Sequence, residues 1–233
     1  MKIVSFKICP FVQRVTALLE AKSITYDIEY ISLKDKPQWF LEISPNGQVP
    51  VLITDGGEAL FESDAIVEYI EEAFPPLQPG ISPEERARNR AWSYLASKNY
   101  LVQCSAQRSP DEDVLNERSA KLAIAFGRME KQLGEKPYFG GDSLGMVDIA
   151  WLPLLHRAGI INERSGYDFI GSHPKLKRWQ TVLLGDDLAA SSVAPDFEDA
   201  FSAFYLSDET FLGRGATVEN CCFSERCATD ACC

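Results

Sequence analysis

The sequence predicts an α/β unit followed by an all-helical one, and three observations carry that prediction. Up to about residue 74, short strand-period runs alternate with helix-period runs in the order strand, helix, strand, helix, strand, strand, helix. A proline-rich stretch, Pro75-Pro76-Leu77-Gln78-Pro79-Gly80-Ile81-Ser82-Pro83, then breaks the chain and cannot itself be helical. Beyond it the patterned segments have helical spacing. The organisation expected is an α/β domain over 1–75, a linker over 76–83, a helical domain over 84–206 and a cysteine-rich, disordered tail over 207–233.

The first strand is the apolar run Ile3 to Phe6. Phe11, Val15, Leu18 and Leu19 then share one helical face, so Cys9-Pro10 falls at a strand-to-helix turn with Pro10 at the first helical position. Ile24, Tyr26, Ile28 and Tyr30 alternate with more polar neighbours as in a half-buried strand. Pro37 to Ile43 makes a short helix, and Ser44-Pro45-Asn46-Gly47-Gln48-Val49-Pro50 is a loop running into the strand Val51-Leu52. Asp55-Gly56-Gly57-Glu58 turns the chain back into Ala59-Leu60-Phe61. Ser63 is placed to cap a helix whose Ile66, Ile70 and Phe74 are spaced four apart, with Asp64 in its first turn.

In the second part, a helix from about Glu84 to Ala106 shows Ala91, Leu95 and Val102 at helical spacing, with Tyr94 and Leu101 widening the stripe. Ser109-Pro110-Asp111-Glu112 reads as a capping box for a helix that buries Leu115, Leu122, Phe126, Met129 and Leu133 and stops at Gly134. Met146 to Ala158 is apolar almost all round and reads as the central buried helix, with a kink at Pro153. Gly145 stands at its cap and Asp148 at the reciprocal position, which makes Asp148 a folding residue. His156 lies on this helix and His173 just before Pro174, and neither has ligand spacing to a second histidine. Leu176, Trp179, Val182 and Leu183 mark a further helix and Asp196 to Tyr205 a shorter one.

A net charge of -11 over 233 residues repels phosphate backbones and anionic lipid, which argues against nucleic-acid and membrane partners. No uninterrupted apolar run is long enough to cross a bilayer, and the N-terminus has no signal-peptide core, so a cytoplasmic protein is expected. Of seven cysteines, five (Cys221, Cys222, Cys227, Cys232 and Cys233) crowd the C-terminus, unlike a secreted disulfide framework. Their spacing is not a zinc pattern, and no metal site is expected, although soft-metal binding by the tail is chemically feasible.

Cys9 carries the chemistry. At a helix start the free N–H groups and the dipole favour an anion, so its thiol is expected to ionise more easily than free cysteine and to act as a nucleophile. The alternative is a buried cysteine that only closes a turn.

Three further pieces, Lys34-Asp35-Lys36-Pro37-Gln38-Trp39-Phe40, Gly47-Gln48-Val49-Pro50-Val51-Leu52 and Glu62-Ser63, join Cys9-Pro10-Phe11 and Gln13-Arg14 in one order. Together they resemble the thioredoxin-like domain of glutathione transferases, most nearly the cysteine-type, omega-like members. The resemblance covers the first third of the chain strongly and the helical remainder more loosely. It implies a thioredoxin-like domain plus an all-α domain, a homodimer, no permanently bound cofactor and glutathione as co-substrate. By the same resemblance Cys9 is catalytic. The resemblance likewise implies that Phe11, Lys36, Val49, Pro50, Glu62 and Ser63 would bind glutathione. A cis Pro50 would offer the Val49 backbone to the cysteinyl unit. Ser63 would take the γ-glutamyl carboxylate, Glu62 its ammonium and Lys36 the glycyl carboxylate. Each also has a plain structural reading: a loop-to-strand junction, a helix cap, a solvated lysine.

Val12 rules out a two-cysteine C-x-x-C centre, so the mixed disulfide expected at Cys9 is with glutathione. The implied activities are thiol transfer: deglutathionylation, dehydroascorbate or disulfide reduction, on a small electrophilic or disulfide substrate. Ser5 lies within the first strand, too early to hold glutathione's own thiolate. The competing reading is a non-enzymatic protein of the same fold, a scaffold or stress-response partner. Chloride-channel-like members share the Cys-Pro-Phe-x-Gln-Arg run, but Glu20, Lys22, Asp27 and Glu29 make this region a poor membrane span.

Overall fold

A computed structural model describes residues 1–215. The first half runs β1 (Lys2–Ser5), α1 (Pro10–Ala21), β2 (Asp27–Tyr30), α2 (Gln38–Ile43), β3 (Val51–Ile53), β4 (Ala59–Phe61) and α3 (Ser63–Ala73). Its four strands form one sheet in the order β2-β1-β3-β4, with β1 parallel to β2 and antiparallel to β3, and β3 antiparallel to β4. That is the thioredoxin-like arrangement. The alternation of β1 sends Ile3 to one face, with Val15, Leu18 and Ile66, and Val4 to the other, with Ile31, Phe40 and Val51.

The second half is helical: α4 (Pro83–Gln107), α5 (Glu112–Gln132), α6 (Met146–Ser165), α7 (Pro174–Gly185), α8 (Leu188–Ser191) and α9 (Phe197–Tyr205). α6 is buried on nearly every side, from Val147 to Ile161, as its composition demands. α1 packs against α6 and α3, so the helix that starts at Cys9 belongs to the cores of both halves. Among the described residues no helix is long and apolar enough to cross a membrane.

Several local expectations change. Pro83 opens α4 behind a Ser82 cap, whose hydroxyl accepts from Glu85 N–H at 3.1 Å, so the linker ends one residue early. Asp111, not Ser109, caps α5, accepting from Val114 N–H at 2.9 Å. Ser109 is instead taken by the chain that follows α9: its carbonyl accepts from Phe211 N–H at 2.8 Å. The caps of α3 also differ: Glu62 holds the cap position at φ 67°, and Ser63 is the first helical residue.

The stripe expected on α4 is displaced. Leu101 and Ala91 are exposed, and the buried face is Asn89, Ser93, Ala96, Ser97, Tyr100, Gln103, Ala106 and Gln107. The reason is its neighbour. Tyr100, Gln103 and Ser93 hydrogen-bond the α6 carbonyls of Ala150 (2.5 Å), Leu154 (2.9 Å) and Met146 (3.2 Å). A polar face satisfied by main-chain oxygens buries as well as an apolar one. The segment 207–215, read as the start of a tail, is packed, with Thr210 and Leu212 buried. The five clustered cysteines lie outside the described residues.

Candidate active site

The site is assembled from four chain breaks that meet beside α1. Cys9 caps α1 in extended conformation (φ -77°, ψ 122°) with Pro10 next. Its N–H donates to Phe6 O at 3.0 Å, and its carbonyl accepts from Gln13 N–H at 3.1 Å. The side chain is therefore left at the mouth of the helix. The second break is the loop from α2 to β3. Ser44 closes it, its hydroxyl accepting from Gln48 N–H (3.0 Å) and donating to Gln48 O (2.9 Å). Gly47 turns there at φ 58°, a conformation cheap only for glycine. The Val49–Pro50 bond is cis. The Val49 carbonyl oxygen lies 4.0 Å from Cys9 Sγ, and the Val49 N–H has no partner within the described residues.

The third break is β4 to α3. Glu62, a non-glycine residue at φ 67°, pays a conformational strain of about 1–3 kcal/mol. Asn46 Nδ2 donates to its carboxylate at 2.8 Å, tying this turn to the preceding loop. The conformation delivers Ser63 to the first turn of α3, buried, its hydroxyl and N–H without a partner in the described residues. The fourth is the β2–α2 connection, which carries Lys36. Its ammonium lies against Gly47, about 3.6 Å from where a Cβ would stand.

These breaks enclose a cleft of about 300 Å³. Cys9, Phe11, Lys36, Val49, Pro50, Glu62 and Ser63, all seven residues singled out from the sequence, line it. Leu33, Asn46, Gln48, Phe61 and Leu101 line it as well, and sequence reasoning missed them. The Pro-Asn-Gly turn announced a bend at Asn46 but not the reach of its amide. Leu101 has a signal only in retrospect: it is 65% exposed on α4, on the helical-domain side of the cleft. Phe11 packs edge-on against Tyr100 of the same helix, centroids 5.0 Å apart.

Opposing influences act on the thiol expected to ionise easily. Burial pushes the Cys9 thiol up to about 11, while the backbone N–H groups of Val12 and Phe11 and the Arg157 guanidinium pull it down. The helix start does favour the thiolate, as the sequence implied. Burial, which the motif cannot reveal, is the larger influence.

Arg14 and Asp64 brace the site from beneath. Arg14, fully buried on α1, pairs with Asp64 in the first turn of α3, and Ser97 Oγ donates to the same carboxylate at 3.3 Å. Arg157 reaches the other side of α1 from α6, donating to Ile8 O at 3.2 Å.

Residues 8–73 match the family model described as glutathione S-transferase, N-terminal domain, and residues 112–179 the corresponding C-terminal domain. Glutathione S-transferase omega-1 of Sus scrofa is 32% identical over 89% of this chain and 87% of its own. The probable cytosolic glutathione S-transferase DHAR1 of Oryza sativa subsp. japonica is 30% identical over 66% of this chain and 69% of its own. Among solved structures, glutathione transferase Omega 3C from Trametes versicolor superposes with a TM-score of 0.71 at 27% identity, covering 83% of this chain and 88% of that one.

Proposed function

This chain belongs to the glutathione transferase superfamily as an omega-like member, and we propose from its cleft that it is a glutathione-dependent thiol transferase with Cys9 as nucleophile. The observation that carries the reading is the position of the sulfur. It stands at the start of α1, within one cleft that also holds an unpartnered Val49 N–H, a buried Ser63 hydroxyl at a helix start and a lysine. Glutathione is a tripeptide with two carboxylates and one ammonium, and the cleft offers each a complement. The Val49 N–H and carbonyl pair with the cysteinyl unit as strand neighbours would. Ser63 and the α3 N-terminus take the γ-glutamyl carboxylate, Glu62 its ammonium, and Lys36 the glycyl carboxylate.

The chemistry is thiol–disulfide exchange. The Cys9 thiolate attacks the glutathione sulfur of a mixed disulfide, the Cys9–glutathione bond forms, and the substrate thiolate leaves and takes up a proton. A second glutathione, as thiolate, attacks the glutathione sulfur of that bond, releasing oxidised glutathione and returning Cys9. Leu101, Phe11 and Leu33 provide an apolar rim for the part of the substrate that is not glutathione. The activity is carried out in the cytoplasm by a homodimer on this reading.

Intact-mass spectrometry after exposure to oxidised glutathione tests the proposal. One glutathione adduct is expected on Cys9, absent in Cys9→Ser, with thiol-transfer activity lost in the same variant. Retention on a glutathione-affinity resin separates the enzyme from a scaffold of the same fold, which flows through. Adducts confined to the C-terminal cysteines would sink the assignment of the nucleophile.

A further inference from the structure

α6 buries an arginine that has no acidic partner among the described residues. Arg157 is completely inaccessible to solvent. Around it stand Cys9 at the cap of α1, Tyr100 and Cys104 on α4, His156 on its own helix and Tyr205 on α9, and among the described residues no carboxylate lies within ion-pair distance of it. Its N–H groups are spent on oxygens that carry no charge: Gln13 Oε1, Pro153 O at 3.1 Å and Ile8 O at 3.2 Å, with Nε left without an acceptor. The ring of Phe197 covers it at 5.2 Å. A guanidinium held this way keeps a large desolvation cost, which paired arginines recover from an anion.

Where its bonds go shows what it serves. Ile8 immediately precedes Cys9, and Gln13 donates its own main-chain N–H to Cys9 O at 3.1 Å. Gln13 is itself fixed by His156 Nδ1 at 2.8 Å and Ser192 Oγ at 3.2 Å. Arg157 therefore grips the Cys9 turn on both sides from the other half of the molecule. Each of these five neighbours of Arg157 is held neutral by burial at ordinary pH: the thiols and phenols are raised, and His156 is lowered to about 3. Among them, the group that becomes an anion in the proposed reaction is Cys9. Resting on that reading, we infer that Arg157 is a positioning residue for the nucleophile, a permanent buried cation that orients the Ile8–Cys9 turn and gains its missing counter-charge only when the sulfur ionises. Such an interaction is stronger in the reacting state than in the resting one, which is the requirement for it to accelerate the reaction.

The test compares wild type, Arg157→Gln and Arg157→Lys. The rate of Cys9 alkylation by iodoacetamide, read as modified Cys9 peptide by mass spectrometry, is followed across neutral and alkaline pH, with glutathione affinity measured by calorimetry. Arg157→Gln keeps a donor to Ile8 but loses the charge. It is expected to shift the alkaline rise by about one pH unit, about tenfold in rate at a given pH. Arg157→Lys, which keeps the charge on a shorter donor set, is expected to stay within about threefold of wild type. Glutathione affinity should hold in both, since Arg157 does not line the cleft. An unshifted profile in Arg157→Gln overturns the inference, and so does a lysine variant as slow as the glutamine one, which would mark a purely structural role. If Arg157→Gln does not fold, Arg157→Lys decides alone by the same threefold criterion. A wild-type protein that forms no Cys9–glutathione adduct yet shows the Arg157 dependence of alkylation would overturn the proposed function and leave this inference standing.

Discussion

Ser63 and Lys36 would hold opposite ends of one ligand in different surroundings, and that difference ranks them. Ser63 is 5% exposed, so a hydrogen bond from it to a carboxylate forms away from competing water. Lys36 is only partly buried, and its attraction is screened. Ser63→Ala should weaken glutathione binding about tenfold, the loss of one charge-assisted hydrogen bond of about 1.5 kcal/mol. Lys36→Ala should cost less, and its effect should shrink as salt is added. Calorimetric titration at low and high ionic strength checks both; equal losses independent of salt would remove Lys36 from the site. Cys9 gives a prediction with a sign. Burial favours its neutral form and raises the thiol to about 11, so in the free protein its alkylation rate should keep climbing past the range where an ordinary thiol levels off. A plateau near pH 8 would show that the helix start and Arg157 outweigh burial. The identity of Cys9, the loop at Val49–Pro50 and the Glu62-Ser63 pair were legible because local motifs encode them. The sulfur's environment was not, because Tyr100, Cys104 and Arg157 arrive from helices some ninety to a hundred and fifty positions away.

Asp148 shows how one side chain organises an element. The Gly145 cap has no side chain to offer, so only half of the usual reciprocal arrangement forms: Gly145 N–H donates to Asp148 at 2.8 Å. The carboxylate also accepts from Phe139 N–H at 2.9 Å and from the Trp179 indole at 2.8 Å. It thereby joins the start of α6 to the preceding loop and to α7. Asp148→Ala strands three donors, two of them fully buried, and should cost about 3 kcal/mol or more, lowering the melting temperature by about 10 °C for a chain of this size. Chemical denaturation measures it, and a loss under about 1 kcal/mol would show that water satisfies the donors instead. Helix α6 and this role for Asp148 could be read from the sequence, since a nearly all-apolar run behind a capping position has one reading. The buried face of α4 could not. Its serines, glutamines and tyrosine look like a solvent face until the α6 carbonyls that receive them are in place. The packing of 207–215 was hidden for a similar reason: Leu212 and Thr210 are a sparse apolar signal whose partner, the turn at Ser109, is about a hundred residues away.

The two halves of the molecule meet through buried polar contacts on α1. Gln13 bonds to His156, Thr16 Oγ1 donates to Ser192 O at 2.6 Å, and Arg157 reaches Ile8. Lys22, at the other end of α1, pairs with Glu71 at 2.7 Å and donates to Pro75 O at the linker. Global stability is sensitive to the protonation of two buried groups, His156 at this junction and Asp148 at the start of α6, and they pull in opposite directions. Burial lowers His156 from 6.5 to about 3, so the unfolded chain takes up a proton there before the folded one does. Its contribution to stability is intact above pH 6.5 and is lost as the pH falls towards 3, at about 1.4 kcal/mol per unit. Burial raises Asp148 from 3.8 to about 6, so the folded chain binds that proton first and acidification over this window adds stability. Between about pH 6 and about pH 4 the two slopes offset each other. Replacing either group exposes the other. His156→Phe keeps an aromatic ring on Phe197, 5.4 Å from the present imidazole, and should lose less stability than wild type on acidification. Asp148→Asn should lose more. Urea unfolding at several pH values across that window reads the slopes directly, and three parallel profiles would mean that neither buried group governs the pH dependence of stability.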